Sequence, residues 1–185
     1  MTEALDVRRR AEALETACGL FMRFGYRKTS MDDIARAVGI SRQGLYLWFP
    51  NKEALFVSAV DHLQGRIRDA IEASLSDESL SPIDRVLGAF DAYVGVNLSA
   101  GMNAGAMDEL LETATKLIGD RVTQIEEELI TLLARELEGT PRSDLSARDL
   151  AEVLYAVSAG TKYRVASREE YLTRMRTALR AVCGW

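Results

Sequence analysis

The stretch TSMDDIARAVGISRQGLYLWFPNK, residues 29–52, carries the strongest signal for the fold of this chain. It predicts two short helices, each preceded by a serine (Ser30 and Ser41) that can accept a hydrogen bond from the first turn. Asp33, three residues after Ser30, completes a capping box with aspartate in the place of the usual glutamate or glutamine. Gly39 provides the tight turn. This is the helix-turn-helix motif, whose second helix enters the major groove of DNA, so the stretch predicts a DNA-binding element.

A longer helix is predicted on each side of this stretch. The preceding helix covers about residues 6–24 and stops at Gly25, as a helix commonly does at a glycine just beyond its last turn. Its apolar residues follow the three- and four-residue spacing of a buried stripe: Leu14, Cys18, Phe21 and Phe24. The following helix covers about residues 52–75 and ends before a polar loop at residues 76–82.

The rest of the chain also has a helical pattern, with five further helices at roughly residues 83–99, 103–117, 120–138, 146–162 and 168–182. Alternating apolar residues with β-branched side chains, which would indicate strands, are nearly absent. We therefore predict an all-α protein of about nine helices. The first three form an N-terminal helix-turn-helix head, residues 1–52, and the others form a C-terminal body, residues 53–185.

Charge is distributed unevenly along the 185 residues, which carry a net charge of −5. Residues 1–52 contain nine Lys or Arg against six Asp or Glu, a net charge of +3, whereas residues 53–185 contain 14 against 22, a net charge of −8. A basic head attracts nucleic-acid phosphates, and an acidic body discourages DNA from binding elsewhere. The asymmetry agrees with a DNA-binding head, although chance variation among ordinary proteins also produces such differences.

The composition is that of an ordinary globular protein, with 48% hydrophobic and 28% charged residues. The chain contains no run of 18 apolar residues, so no membrane span is predicted. The segment MTEALDVRRR, residues 1–10, lacks the apolar segment of a secretory signal. Cys18 and Cys183 do not form a C-x-x-C pair, and we expect buried thiols rather than a disulfide. These features predict a cytoplasmic protein without membrane association.

Three residues at the start of the second short helix are candidates for reading bases. Arg42 can donate two hydrogen bonds to guanine O6 and N7, and Gln43 can pair in the same way with adenine N6 and N7. Gly44 has no side chain, so it would let the backbone approach the groove closely, although glycine is otherwise unfavourable inside so short a helix. The alternative for each residue is a solvated surface position without a partner.

Other residues are candidates for contacts with DNA phosphates, which fix the position of a protein without reading the sequence. Thr29 and Ser30 precede an exposed helix N-terminus, where unpaired N–H groups favour anions. Tyr46 lies one turn after Arg42 and can direct its hydroxyl toward the DNA backbone. Lys52 begins the next long helix and can approach a phosphate as a point charge.

No pattern in the chain predicts an enzyme, a metal site or a cofactor. His62 is the single histidine and has no cysteine or histidine neighbours at metal-ligand spacing, so we expect an ordinary partly buried or surface residue. The G-x-S-x-G motif of serine hydrolases is absent. Gly101 and Gly105 do not follow a predicted strand, so they do not predict a phosphate-binding loop.

Residues 11–56 resemble the DNA-binding domain of the TetR/AcrR family of transcriptional regulators, above all in FMRFGYRKTSMDDIARAVGISRQGLYLWFPNKEALF. The resemblance covers about a quarter of the chain, and the body carries no motif specific to the family. It implies an all-α fold, usually of nine helices, with a head that binds DNA and a body that binds ligand and dimerises. It also implies operator contacts at five positions: Thr29, Arg42, Gln43, Tyr46 and Lys52.

Two residues depart from the pattern of that family. Leu47 stands where polar residues are common, so a polar contact is not expected there, and its side chain can contact a thymine methyl group instead. Trp48 stands in the place of the usual tyrosine. We expect its ring to pack on the core of the head rather than against the sugar-phosphate backbone of DNA.

The resemblance implies a ligand-responsive regulator, most simply a repressor that a small-molecule inducer releases from a palindromic operator. It further implies a homodimer formed through the helices near residues 146–162 and 168–182. Candidate pocket residues mix apolar bulk with a few polar groups: Phe90, Tyr93, Asn97, Met102, Met107 and Tyr155. Ordinary core packing is the simpler explanation for each of these, and we expect two or three to line a cavity. The alternative function is a helical small-molecule-binding or interaction module that binds no operator.

Overall fold

The structure, a computed structural model, describes residues 2–99, 104–119, 121–140 and 145–185. All regular secondary structure in these ranges is helical, which confirms the predicted all-α fold of about nine helices. The helices are α1 (Thr2–Phe24), α2 (Met31–Val38), α3 (Arg42–Trp48), α4 (Lys52–Leu75), α5 (Pro82–Ser99), α6 (Ala104–Ile118), α7 (Arg121–Glu136), α8 (Ala147–Thr161) and α9 (Arg168–Cys183). Apart from the earlier start of α1, the boundaries lie close to those predicted.

The two short helices are bounded by the residues that the sequence predicted. The Ser30 hydroxyl accepts a hydrogen bond from the Asp33 N–H at 3.2 Å, and Oδ2 of Asp33 accepts one from the Ser30 N–H at 3.0 Å, which completes the capping box. Gly39 ends α2 with a φ of 76°, in the left-handed region that glycine adopts without strain. Ser41 caps α3 by accepting from the Gly44 N–H at 3.0 Å. These caps determine which residues occupy the first turn of α3.

The buried face of α1 differs from the prediction at its C-terminal end. Phe21 is buried as expected, but Phe24 is 48% exposed and lies 5.2 Å from the guanidinium of Arg23. The next buried position after Phe21 is Gly25, where the chain turns with a φ of 85°. At 3.6 residues per turn, a residue four positions along a helix is rotated by only about 40° around the axis, whereas one three positions along is rotated by about 60°. Phe24 therefore does not belong to the buried stripe.

The first of two compact units consists of the described part of Met1–Arg66 and Ala100–Val122. Its apolar core receives side chains from α1, α2, α3, α4 and α6, and Leu45 of α3 is fully buried there. The thiol of Cys18 donates to the carbonyl of Ala59 at 3.1 Å, and burial raises the pKa of that thiol to about 12. Because α3 is fixed on this core, the unit provides a rigid support for the helix-turn-helix.

The second unit consists of the described part of Ile67–Ser99 and Thr123–Trp185. In its core, α9 packs against both α5 and α8. Ser158 of α8 and Tyr171 of α9 are buried, and their hydroxyls share a hydrogen bond of 2.7 Å. This bond satisfies two polar groups that would be costly to bury alone, so it fixes α8 against α9.

These packing units do not follow the predicted division of the chain at residue 52. The first half of α4, up to Arg66, and all of α6 that is described pack with the head. Packing does not decide which residues bind DNA or a ligand, so the functional division into residues 1–52 and residues 53–185 remains a prediction.

Candidate nucleic-acid interface

Helix α3 is held on the head by one side and exposed on the other. Leu45 and Phe49 are 0% and 1% exposed and fix the helix on the core. Arg42, Gln43 and Leu47 face solvent, and Leu47 is 81% exposed. The major groove of DNA, about 12 Å wide, admits an α-helix. The structure thus presents the predicted base-reading residues on a rigid, accessible element.

Arg42 is held in place by two neighbours. Nη1 donates to Oδ2 of Asp32 at 2.9 Å, and Nη2 lies 3.5 Å from the hydroxyl of Tyr46. The guanidinium also lies over the Tyr46 ring, 5.4 Å from its centroid, within the range of a cation–π contact. The hydrogen bond with Tyr46 and the Asp32 carboxylate raise the pKa of Arg42 above its ordinary value. Arg42 is therefore charged and oriented without DNA.

The next two residues in the first turn contribute differently. Gln43 is exposed and carries an amide that can both donate to and accept from a base edge. At Gly44, a Cβ would stand 3.2 Å from Oγ of Ser41, the oxygen that caps the helix. Glycine thus protects the cap of α3. Its predicted close approach to the groove remains a prediction.

Leu47 and Trp48 occupy different environments at the end of α3. Leu47 is the most exposed large apolar side chain of the described residues, at 81%. Trp48 is partly buried and packs against the core of the head, which confirms the predicted packing. An exposed leucine on this helix agrees with a thymine methyl contact, which stays a prediction.

Thr29 does not occupy the position that a phosphate contact through its hydroxyl requires. The residue is 2% exposed, and its hydroxyl donates to the carbonyl of Gly25 at 2.8 Å. It therefore closes the turn between α1 and α2. We correct its predicted role: Thr29 stabilises the turn, because tertiary packing directs its side chain into the head.

Lys52 begins α4 as predicted, but its ammonium group is directed toward the protein. Nζ donates to the carbonyls of Tyr26 at 2.8 Å and Thr29 at 3.0 Å, and lies 4.2 Å from the centroid of the Tyr26 ring. Partial burial lowers the pKa of Lys52, and the Glu109 carboxylate opposes this shift. An ammonium has three N–H donors, so one is left for a phosphate. Lys52 fixes the turn before α2 and remains a candidate for a phosphate contact.

Ser30 and Tyr46 are both exposed, as a contact with the DNA backbone requires. The Ser30 hydroxyl donates to Oδ2 of Asp33 at 2.6 Å, so it would contact a phosphate only in exchange for that bond. Tyr46 is 37% exposed, with its hydroxyl near Arg42. Both phosphate contacts remain predictions.

One residue from a distant part of the chain, which no sequence pattern predicted, contacts the same turn. Glu109 of α6 accepts a hydrogen bond from the backbone N–H of Arg27 at 2.5 Å. Its Oε2 also lies 2.8 Å from the position that a Cβ on Gly25 would occupy. No local signal links residue 109 to this turn, because the contact depends on the packing of α6 against α1. Helix α6 is thereby attached to the turn that precedes α2.

Three of the predicted pocket residues lie in the described part of the second unit. Phe90 is fully buried in the core. Tyr93 of α5 and Tyr155 of α8 lie together, with their ring centroids 6.1 Å apart. Burial raises the pKa of both phenols, and the Glu126 carboxylate contributes to the shift at Tyr155. These rings form a partly buried polar group in the body, and their ligand-binding role remains a prediction.

The other three predicted pocket residues lie outside the described residues. Met102 is outside them entirely, and the side chains of Asn97 and Met107 are as well, although these two residues belong to α5 and α6. Their contacts with a ligand therefore remain predictions.

The described residues were also compared with the expectations for the single histidine, for metal ligands and for membrane-spanning helices. His62 is partly buried, with Nε2 3.6 Å from the Glu15 carboxylate. Within the described ranges, no three His, Cys, Asp or Glu side chains are grouped so that they could hold a metal ion. None of the helices in those ranges has the length and apolar character needed to cross a membrane.

Comparison with known sequences points to the same part of the chain. Residues 13–59 match the family model of bacterial regulatory proteins of the tetR family. The HTH-type transcriptional repressor ComR of Escherichia coli (strain K12) is 32% identical over 111 residues, which are 60% of this chain and 52% of ComR. The uncharacterized HTH-type regulator YuxN of Bacillus subtilis (strain 168) is 43% identical over 49 residues, 26% of this chain and 17% of YuxN. The chain thus spans about half or less of the length of these two curated relatives.

Comparison with solved structures extends to nearly the whole chain. A TetR transcriptional regulator from Legionella pneumophila superposes with a TM-score of 0.72 and 23% identity, and the match covers 94% of this chain and 95% of that one. At this level of identity the likeness shows the fold alone. It relates the helices that follow the head, as well as the head itself, to a known architecture.

Proposed function

We propose that this chain, in which residues 13–59 match the family model of bacterial regulatory proteins of the tetR family, is a ligand-responsive transcriptional regulator that binds duplex DNA. In this proposal a homodimer binds a near-palindromic operator in the cytoplasm and represses transcription. A small-molecule effector that binds in the body releases the dimer from the operator.

The observation that carries this proposal is the exposed first turn of α3. Arg42 and Gln43 offer the donors and acceptors that distinguish guanine and adenine in the major groove. Leu47 is an apolar side chain left 81% exposed on the same helix, and a thymine methyl group would cover it. Helix-turn-helix proteins read DNA with a helix start presented in this way.

The outer faces of α8 and α9 support the dimer. Their inner residues are used by the core, since Leu154 and Tyr171 are fully buried. The outer faces carry exposed small or apolar residues spaced three or four apart, which let helices of two protomers approach closely: Val153, Ala156, Gly160, Thr173, Thr177 and Ala181. A second copy of the chain would cover these faces in a symmetric four-helix arrangement. Its two recognition helices must then lie about 34–36 Å apart to meet successive major grooves.

Effector binding is proposed in the body, around Tyr93 and Tyr155. The two phenols pack against the core cluster that contains the buried Phe90. They combine apolar surface with hydrogen-bonding groups, as small-molecule sites do. Helix α4 contributes to both packing units, and we propose that a change in its tilt transmits the effect to the head. Such coupling typically changes affinity by about 5–150-fold.

Selection of bound duplexes from a random pool, with the purified full chain, tests the proposal. We expect a near-palindromic sequence to be enriched, and its affinity to fall linearly with the logarithm of salt concentration, with a slope of about −0.9 for each phosphate contacted. If no duplex is enriched and binding does not depend on salt, the operator-binding function is rejected. The alternative of a helical module that binds small molecules without an operator would then apply.

A further inference from the structure

Asp32 brings a carboxylate to the surface that is proposed to face DNA. It is the second residue of α2, and its Oδ2 accepts the hydrogen bond from Nη1 of Arg42 at 2.9 Å across the helix-turn-helix. Its other oxygen, Oδ1, is buried and accepts no hydrogen bond from the described part of the chain. The contact with Arg42 is therefore the main polar interaction of this side chain.

A carboxylate at this position is unfavourable for binding DNA in general. Like charges repel, so an acid near the phosphates weakens attraction, and affinity for any duplex comes from basic groups that neutralise phosphates. An acid near the start of α2 is favoured by the helix dipole, but Asp33 already forms the capping box there. The hydrogen-bonded cap of α2 therefore does not require Asp32, whose charge adds only the dipole contribution of the first turn.

We propose that Asp32 is a specificity-determining residue, which positions Arg42 to read one base pair. This inference rests on the proposed DNA-binding function. A free arginine side chain loses much rotamer freedom when it forms two parallel hydrogen bonds with guanine. Asp32 holds the guanidinium at Nη1, while the Tyr46 ring supports its face at 5.4 Å. The Arg42 side chain is thus ordered before the duplex binds, so less of its conformational entropy is lost on binding.

The guanidinium keeps donors for a base while Asp32 holds it. Its five N–H groups form a rigid fork. One on Nη1 binds Asp32, and one on Nη2 faces the Tyr46 hydroxyl at 3.5 Å. The Nε hydrogen and the second hydrogens of both Nη atoms are left for O6 and N7 of guanine. Contact with Asp32 and recognition of guanine are therefore compatible. If Asp32 instead competed with DNA for Arg42, removing the Asp32 carboxylate would strengthen operator binding and leave the preference for guanine intact.

The test compares the parent chain with the Asp32→Asn variant. Both are titrated by fluorescence anisotropy, at one fixed salt concentration, with the duplex that the parent selects and with versions in which each operator base pair is substituted in turn. Asparagine keeps the shape of the side chain but removes the charge that holds Arg42. We expect discrimination at the base pair read by Arg42 to fall about fivefold or more. Affinity for an unrelated duplex should be unchanged or higher, since a negative charge is lost.

Two further variants identify the base pair and control for charge. Arg42→Ala shows which base pair is concerned, and adding Asp32→Asn to it should cause no further loss, because Asp32 then has nothing to position. Glu53→Gln removes an exposed carboxylate of α4 in the same unit and should leave every base preference as in the parent. If Asp32→Asn does not fold, Asp32→Glu replaces it: it keeps the charge, displaces the carboxylate by one methylene, and should lose the same discrimination.

The outcomes separate the inference from the function on which it rests. If the Asp32 variant binds the operator as tightly as the parent or more tightly, with every base preference retained, Asp32 does not position Arg42 and the inference is overturned. If the parent itself selects no duplex, the proposed function fails and this inference fails with it. A loss confined to the base pair that Arg42 reads supports both.

Discussion

Arg42 and Lys52 are two basic residues of the head with opposite surroundings. Arg42 is exposed and oriented toward solvent by Asp32. Lys52 directs its ammonium group to the carbonyls of Tyr26 and Thr29. Removing Arg42 should therefore change how DNA is read, whereas removing Lys52 should first change the stability of the head.

Replacing Arg42 by alanine tests base reading directly. We expect the affinity for the selected operator to fall by about 1–3 kcal/mol, or roughly 5- to 150-fold, for each half-site whose bidentate contact is lost. The preference at the base pair that Arg42 reads in each half-site should be relaxed. Anisotropy titrations with single-base variants of the operator measure both quantities. Binding of the operator with the affinity and preferences of the parent would show that the guanidinium contacts no base.

Replacing Lys52 by methionine tests the turn between α1 and α2. The change keeps an apolar side chain but removes two charge-assisted hydrogen bonds, and we expect the free energy of unfolding to fall by about 1–2 kcal/mol after allowance for solvent screening. If the third N–H also binds a phosphate, the salt dependence of DNA binding becomes shallower by about one unit for each protomer bound. Urea denaturation and salt titrations measure the two effects separately.

The matched control for that variant is Lys28→Met, since Lys28 is exposed and lies within the same turn. It removes the same charge without the carbonyl contacts and should leave the stability of the head close to that of the parent. Equal stability of the Lys52 variant and this control would mean that the ammonium contacts add nothing to folding.

Single helices of this chain start and stop at residues with local physical signals. Serine hydroxyls cap α2, α3, α8 and α9, and glycines with positive φ follow α1, α2 and α9. These boundaries could be predicted from the sequence because a cap depends on residues three or four apart. The roles of Thr29, Lys52 and Glu109 could not be predicted, because each depends on contacts between segments that only the folded chain brings together.

The capping box of α2 should make stability depend on pH in the acid range. The hydroxyl and backbone N–H of Ser30 hold the pKa of Asp33 below its ordinary range. A carboxyl whose pKa is lowered by folding stabilises the protein at neutral pH, and this contribution is lost as the pH falls below the unfolded-state value of about 3.9. Asp33→Asn should therefore be less stable than the parent at pH 7, and the difference should shrink at pH 3.

Thermal unfolding followed by circular dichroism at both pH values measures this difference. Asp149 forms the same capping box with Ser146 at the start of α8, and its pKa is lowered by the same hydroxyl and N–H contacts. The Asp149→Asn variant should repeat the behaviour in the second unit. A stability difference that stays constant from pH 7 to pH 3 would contradict the role assigned to the charge.

Helix α6 can be tested through its contact with the turn that precedes α2. Glu109→Ala removes the acceptor for the Arg27 N–H, and we expect a loss of about 1 kcal/mol in the free energy of unfolding. Glu109→Gln keeps an acceptor and should retain most of the stability. Glu112→Ala, an exposed position on the same helix, serves as the control in the same urea titrations. An equal loss in the Glu109 and Glu112 alanine variants would assign the effect to helix α6 as a whole.

At the scale of the whole molecule, the two packing units use the chain in interleaved segments. The first takes α6 from the middle of the sequence and the second takes the segments before and after it. Dividing the chain at a single residue cannot describe interleaved segments. The sequence pattern did not predict them, because they depend on packing between helices far apart in the chain. The proposed dimer would join two copies through the second unit and leave the first unit of each copy for DNA.

The proposed dimer is tested by placing a charge on the outer face of α8. Ala156→Arg would bring an arginine from each protomer into a symmetric interface, and burial of such charges costs several kcal/mol. We expect the dimer to weaken about a hundredfold or more and operator binding to lose the contribution of its second half-site. Light scattering after size-exclusion chromatography gives the oligomeric state, and Ala73→Arg, at an exposed position of α4, is the control. A dimer unchanged by Ala156→Arg would place the interface elsewhere.

The partial burial of Trp48 on α3 has a practical consequence. The chain contains two tryptophans, and the other, Trp185, is its last residue. An indole emits according to the polarity around it, and a duplex seated on α3 would exclude water beside Trp48. In a Trp185→Phe variant, emission excited at wavelengths that the six tyrosines do not absorb would therefore come from Trp48 of α3 alone. The head thus carries its own optical probe, and the arrival of DNA can be timed in a stopped-flow instrument without an attached dye.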